Sequence, residues 1–464
     1  MKLTPSDIYT HRRPSECELR VYLKANGASS GKPSPYAEVL ERLGQRHEQS
    51  HLKTFTAFED LSGIGSYDEV FERTKVCVAN HTPVIYQALL KCNLRIAGVD
   101  CEISGRPDFL IKDEIGYRIR DSKISRRITQ KDHPEIILQL QTYGWLFERV
   151  FGVPASRLEV HNGPGAIVEV PFDGPDPVIN ALREIVQIRL MTEEPFSPVG
   201  LSKCGACGYR DICWEKAEVN RSVALVAGVD QGLAITLHEM DILTMDQLLE
   251  KFNEESLGEL KRQKRASLVR VGSSAYSILR NARALASGEE RLLSKPDIPV
   301  AKNYVMFDLE GLPPQLDELQ KVYLWGMQVF GETPGAYISS TAGFGIDGDR
   351  QGWEEFLTKA SEIFDTYGDI PFVHWANYEA TLISVYLDRF GDETGRAARV
   401  QENLLNLLQM TENSIVLPLP GCSGFSKKAM RRTRLFIERQ LRPLASSART
   451  RYRIVTLWGL RAQG

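Results

Sequence analysis

Between Asp108 and Ile124 the chain reads DFLIKDEIGYRIRDSKI: an apolar run, a polar turn ending in Gly116, then alternation. That pattern predicts a β-hairpin. With the turn centred on Glu114 and Ile115, Lys112 faces Tyr117 and Asp108 faces Asp121. Alternation sets Tyr117, Ile119, Asp121 and Lys123 on one face. In PEIILQLQTYGWLFE the apolar positions recur with helical period, and Gln139 and Tyr143 fall at i and i+4 on one face. The stretch LERLGQRHEQSHL is also helical in pattern and carries His47 and Glu48. Residues 1–216 read as one mixed α/β unit. Residues 217–290 read as helical, and 291–302, with its prolines, as a linker. Strand patterns resume in YVMFDLEG, KVYLWGMQVFG and DIPFVHWANY, followed by a helix in YEATLISVYLDRFG, so 303–420 form a second α/β region. No internal repeat is found.

The 464 residues call for two to four domains. With 42% hydrophobic and 25% charged residues the composition is that of a globular protein. The net charge of −3 gives no overall attraction to nucleic acid, so any such affinity comes from local patches. The N-terminus has no apolar h-region and no stretch is long enough to span a bilayer, so a soluble, cytoplasmic protein without membrane contact is expected.

Of the eight cysteines, Cys77, Cys92, Cys101 and Cys422 stand alone and read as small buried hydrophobes. Cys204, Cys207 and Cys213 form C-x2-C-x5-C in KCGACGYRDICW, and Cys17 is the candidate for a fourth ligand. In a reducing compartment this points to metal rather than disulfides. Four thiolates hold either zinc or a 4Fe–4S cluster, and spacing alone does not separate the two.

Two carboxylates opposite each other on a ladder repel. A divalent cation between Asp108 and Asp121 relieves that repulsion, and such oxygen ligands suit Mg²⁺ or Mn²⁺. Lys123 then stands where it can orient or activate a water for attack on phosphorus. The plainer alternative is a surface hairpin with solvated charges.

Taken in order, a cysteine, G-x-x-H-E, G-R-x-D followed by D-x-K, Q-x-x-x-Y and C-x2-C-x5-C resemble the RecB-type nucleases of the PD-(D/E)xK superfamily. Within it, they are similar to the branch with a four-cysteine iron–sulfur cluster, which includes CRISPR-associated exonucleases. The resemblance covers roughly residues 1–216. It implies a restriction-endonuclease-like mixed sheet flanked by helices. It further implies that His47, Asp108 and Asp121 bind the catalytic metal, that Lys123 acts on the attacking water, and that Gln139 and Tyr143 match the motif after the core. Cys17, Cys204, Cys207 and Cys213 would hold a 4Fe–4S cluster that staples the ends of the domain. The implied activity is metal-dependent, exonuclease-like hydrolysis of single-stranded DNA or DNA ends, in repair, recombination or defence. The alternative is an inactive nucleic-acid-binding subunit, or a cluster scaffold, serving a helicase complex.

The stretch ALVAGVDQGLAITLHEMDILTMDQLLE places short helices around turns at Gly228-Val229 and Asp241-Ile242. It resembles a helix-hairpin-helix element, whose helix start holds a DNA phosphate. The basic run KRQKRASLVR follows it, and a helical linker with a solvated charged face is the plainer reading. Farther on, Asp308 and Glu310 share a strand face as a second carboxylate pair for metal, and Asn377 and Glu379 lie at a strand-to-helix junction. This region resembles the ribonuclease-H-like exonuclease domain found beside RecB-type domains. Glu379 stands where many relatives carry aspartate, and Asn406 stands where a third acidic motif would lie, so activity there is not expected. From Gly421 the tail has eleven Lys or Arg against one acidic residue, Glu438. It reads as a shift of frame that leaves the second domain incomplete or, alternatively, as a basic arm on nucleic acid.

Overall fold

The computed structural model describes every residue except 14–15, 33–34, 206, 265–266, 295–298, 313–319, 413, 417 and 421–464, so the basic tail lies outside the described residues. The chain forms two compact units, Met1–Ser197 with Ser202–Ile212, and Pro198–Leu201 with Cys213–Gly464. No described helix is long and apolar enough to cross a membrane.

The first unit is built on a mixed six-stranded sheet. Its order is Glu59–Asp60, Val84–Tyr86, Phe109–Lys112, Tyr117–Ser122, Arg157–His161, Ile167–Val170. Phe109 pairs with Arg120 and Lys112 with Tyr117, the predicted antiparallel register. The turn closes because the Asp113 side chain accepts hydrogen bonds from the backbone N–H of Ile115 (3.0 Å) and Gly116 (2.8 Å), an Asx turn. Tyr117–Ser122 also pairs in parallel with Arg157–His161. It is therefore an interior strand with both faces covered, which is why Arg120 is buried beside Ile119.

One cover is the helix Pro134–Phe151. Proline occupies its first turn, and Gly152, at φ 72°, ends it in the left-handed region. Its Ile136, Leu140, Leu146 and Phe147 join Leu110, Ile119 and Leu158 in one core. The other cover is the helix Pro35–Leu52, whose Leu52 packs with Val84, Tyr86, Phe109 and Ile111. A smaller sheet, Lys2–Leu3 beside Val99–Gly105 beside Leu90–Ile96, completes the unit. The residues match the expected restriction-endonuclease-like class, a mixed sheet flanked by helices.

In the second unit, helices Gln231–Glu239, Met245–Lys251, Glu254–Glu259 and Ser274–Ser287 share a core that includes Leu233, Leu248, Leu257 and Ile278. Both expected turns use the left-handed region, at Gly228 (φ 95°) and Asp241 (φ 60°). One expectation is corrected here. The basic run is an antiparallel hairpin, Lys261–Lys264 paired with Ser267–Arg270, rather than helix. It is seated on the start of helix Gln231–Glu239, where Gly232 lets the Gln263 carbonyl approach to within 1.8 Å of where a Cβ would stand. The start of that helix is also capped from within: the Asp230 carboxylate accepts the Leu233 N–H at 2.9 Å and lies 3.4 Å from Arg262. A carboxylate thus occupies the position that a phosphate would need. At the start of the 291–302 segment, Arg291–Leu292 pairs with Ile415–Val416.

The unit's main sheet runs Tyr337–Thr341, Lys321–Gly331, Asn303–Leu312, Phe372–His374, Leu404–Asn406. The first three strands are antiparallel, and the last two are parallel to Asn303–Leu312. Phe307, Trp325, Trp353, Phe356 and Tyr386 pack beneath it against helices Gly345–Tyr367 and Tyr378–Phe390.

Candidate active site

The hairpin delivers its two aspartates to one place. The Asp108 N–H donates to Asp121 Oδ1 at 3.3 Å, and Asp108 Oδ2 accepts the Ser122 N–H at 2.7 Å. Lys123 Nζ lies 2.6 Å from Asp121 Oδ2. The sequence placed these three together through period-2 alternation, and the structure puts them in contact.

Residues from two other elements complete the cluster. Glu48, on helix Pro35–Leu52, accepts the Tyr86 hydroxyl at 2.6 Å and a Gln87 amide hydrogen at 2.9 Å. The same Gln87 nitrogen donates to Asp108 Oδ1 at 3.1 Å. Glu48, rather than its neighbour His47, is therefore the helix residue directed at Asp108. His47 stacks on the ring of His161 (centroids 4.2 Å apart), and its Nε2 lies 3.3 Å from the His161 carbonyl oxygen.

The electrostatics follow from this crowding. Burial holds the Asp108 carboxyl well above its ordinary 3.8. The charges of Asp121 and Glu48 push it the same way, against Lys123 and the Ser122 N–H. For Lys123, burial works against the charge, but Asp121 and Asp108 outweigh it, so the ammonium is retained at neutral pH. Tyr143 is held as the phenol by burial first, then by Asp121 and Asp108. It accepts a hydrogen bond from Gln139 Nε2 at 3.3 Å, while Gln139 Oε1 is buried with no hydrogen-bond partner.

Behind the site, His161 stacks between His47 and His51, with the His51 ring 4.0 Å away, and Arg120 contacts His51 Nε2 at 3.1 Å. Burial, then neighbouring cationic groups, lower His51 to about 4 and His161 to about 3. Both folded values lie below the ordinary 6.5, so the unfolded chain takes up the protons first. Stability is present above pH 6.5 and is lost as pH falls towards about 3. Melting temperature against pH is expected to drop through this window, and His51→Gln is expected to flatten the drop, by a few kcal/mol at most.

Gly163 sets the position of the strand exit. A Cβ there would stand 2.4 Å from the Ile124 carbonyl oxygen, and its N–H donates to Ser125 at 3.0 Å. Lys123 is tied beside it, its N–H donating to the His161 carbonyl at 2.9 Å. Gly163→Ala is expected to cost about 1–3 kcal/mol by overpacking and to displace Lys123. A melt of the variant beside wild type checks the cost.

Other predicted residues lie elsewhere. Cys17 Sγ lies 3.4 Å from Ser197 Oγ, and the Cys207 N–H donates to the Cys204 carbonyl at 3.1 Å. Cys17, Cys204 and Cys207 belong to the first unit, whereas Cys213 falls in the second. In the second unit Asp308 is half-buried and Glu310 exposed, on one face of their strand. Glu379 is buried in the first turn of its helix, with Oε2 3.4 Å from His374 Nδ1. The Asn406 amide donates to Asn377 Oδ1 at 2.6 Å. Among the described residues, no three or more His, Cys, Asp or Glu side chains already stand at metal-holding positions. Sequence reasoning missed Gln87. Its signal was a lone polar residue inside the apolar run VIYQALL.

Residues 24–214 match the model of the PD-(D/E)XK nuclease superfamily. None of the curated proteins matches the chain. Among solved structures, one titled "Crystal structure of SSO0001" matches at 17% identity over 46% of this chain and 86% of that chain, with a TM-score of 0.26.

Proposed function

We propose that the first unit is a DNA nuclease that hydrolyses phosphodiester bonds with Mg²⁺ or Mn²⁺, acting exonuclease-like on single strands or duplex ends. One observation carries this reading: Asp108 and Asp121 converge across the hairpin, with the Lys123 ammonium 2.6 Å from Asp121 and Glu48 joined to Asp108 through one amide. The superfamily that residues 24–214 match consists generally of metal-dependent nucleases.

The donor set fits a hard divalent cation. Its groups are carboxylates, and Asp108 is held above its ordinary value first by burial and then by its neighbours' negative charge, which a cation offsets. Glu48, Asp108 and Asp121 would hold it; His47, engaged with His161, is the weaker candidate. Bound there, the ion supplies positive charge against the charge developing on the transferred phosphoryl group. Lys123 is ammonium at neutral pH, so its part is to donate to a phosphate oxygen and orient the attacking water rather than to take a proton. Tyr143, kept as the phenol, and the open Gln139 Oε1 position the substrate.

Residues 303–420 of the second unit are read as a partial ribonuclease-H-like domain. Three antiparallel strands followed by two parallel ones support this. Asp308 and Glu310 would be its metal pair, but Asn406 ends the strand where a further acid is wanted, so catalysis is assigned to the first unit. The spacing of Cys17, Cys204, Cys207 and Cys213 along the sequence is that of a 4Fe–4S ligand set, with zinc as the alternative. Iron and zinc analysis of anaerobically purified protein separates the two. A role beside a helicase in DNA repair, recombination or defence accords with this reading.

The test is an assay on labelled single-stranded and duplex DNA with Mg²⁺, Mn²⁺ or chelator. Cleavage that needs the ion is the expected result. DNA binding without cleavage under any of these conditions would replace this reading with that of a binding subunit.

A further inference from the structure

We propose that Gln87 is a positioning residue that spans Glu48 and Asp108 and keeps the two carboxylates set for a divalent cation. This inference rests on the nuclease reading of the same site. The Gln87 Nε2 group donates to Glu48 Oε1 at 2.9 Å and to Asp108 Oδ1 at 3.1 Å. One amide thus ties a helix residue to a hairpin residue, with a partial positive charge between two negative ones. No other described side chain is shown bonded to both.

The backbone is bent to deliver that amide. Gln87 follows strand Val84–Tyr86 at φ 58°, in the left-handed region that a non-glycine residue seldom occupies. Such a conformation persists only where the surroundings over-determine it. Here they do: the Gln87 N–H donates to the Asp108 carbonyl at 2.8 Å, and the Arg106 guanidinium donates to the Gln87 carbonyl at 3.1 Å. Arg106 in turn donates to the Leu61 carbonyl at 2.9 Å. Both main-chain groups of Gln87 are fixed, which sets its Cα–Cβ bond beside the two carboxylates that its amide bridges. Groups that orient metal ligands without touching the metal govern affinity strongly.

A purely conformational role makes a different prediction. If the site needed only a residue that accepts positive φ, Asn or Gly would serve as well as Gln, since both adopt that region readily. Neither can span the carboxylates: Asn is one methylene shorter and Gly has no amide. The experiment is a Mn²⁺ titration of wild type, Gln87→Asn and Gln87→Gly, following free Mn²⁺ by electron paramagnetic resonance, with a melt of each protein in chelator. The expected result is cooperative melting in all three and a Mn²⁺ Kd raised on the order of tenfold or more in both variants. Wild-type Kd in either folded variant would overturn the role of Gln87 and leave the nuclease reading standing. A wild-type protein that binds no Mn²⁺ would overturn both.

Discussion

Replacing Lys123 with alanine is expected to reduce metal-dependent cleavage on the order of 10²–10³-fold, the size seen when one preorganised donor to a developing charge is removed. The effect is chemical because the Lys123 ammonium is already in place, 2.6 Å from Asp121, before any substrate arrives. It is held charged by Asp121 and Asp108 against the cost of burial, so a general-base role is closed to it at neutral pH. The same contact has a structural side. Asp121 is buried, and without Lys123 it loses its cation, which should cost about 1–3 kcal/mol in chelator. Lys123→Arg separates the two roles. It keeps the charge beside Asp121 and should recover most of the melting temperature. Its planar fork cannot place donors as a compact ammonium does, so cleavage should stay well below wild type. Cleavage rates on labelled DNA, with melts of all three proteins, check both. Undiminished cleavage by Lys123→Ala would move the chemistry out of the hairpin, and Asp308 and Glu310 would be tested next.

How much of this was legible depends on how local the cause is. The hairpin and its register followed from a period of two and a turn that Asp113 closes with its own side chain, so the meeting of Asp108 and Asp121 could be read directly. The helix Pro134–Phe151 was equally plain, with proline at its start and an apolar period throughout. The choice between His47 and Glu48 was not. Adjacent helix positions point roughly 100° apart, and only the packing of Pro35–Leu52 on the sheet decides which of them reaches Asp108. Gln87 was hidden for a related reason. Its function needs a left-handed turn fixed by Arg106, nineteen positions along the chain, and no local pattern encodes that. The hairpin at Lys261–Arg270 was read as helix because its residues are mostly polar on both faces and carry no apolar alternation. Its strand form comes from being seated on Gly232 and held through Arg262 and Asp230.

Asp108→Asn should separate stability from activity most clearly. In the absence of a cation the folded protein confines the Asp108 carboxylate beside Asp121 and Glu48 and holds it above its ordinary 3.8. A carboxyl raised in this way binds its proton more tightly when folded. Metal-free stability therefore falls as pH rises from 3.8 through the raised value, the opposite sign to the buried histidines. Above the raised value that unfavourable term is fully present. The amide removes it while its oxygen still accepts the Ser122 N–H and its NH2 group faces the Gln87 amide, so in chelator the variant should lose the fall in stability with rising pH that wild type shows. Adding Mn²⁺ should favour wild type. Wild type gains about 2.7 kcal/mol when the free ion is at roughly 100 times its Kd, and the variant, lacking one ligand charge, gains little. Cleavage by the variant should be lost under both conditions. Paired melts with chelator and with Mn²⁺ therefore carry a signature that a merely structural aspartate cannot produce. An unchanged fall in stability with pH in chelator, with the same gain as wild type on adding the ion, would mean that Asp108 is held for the fold and not for a cation.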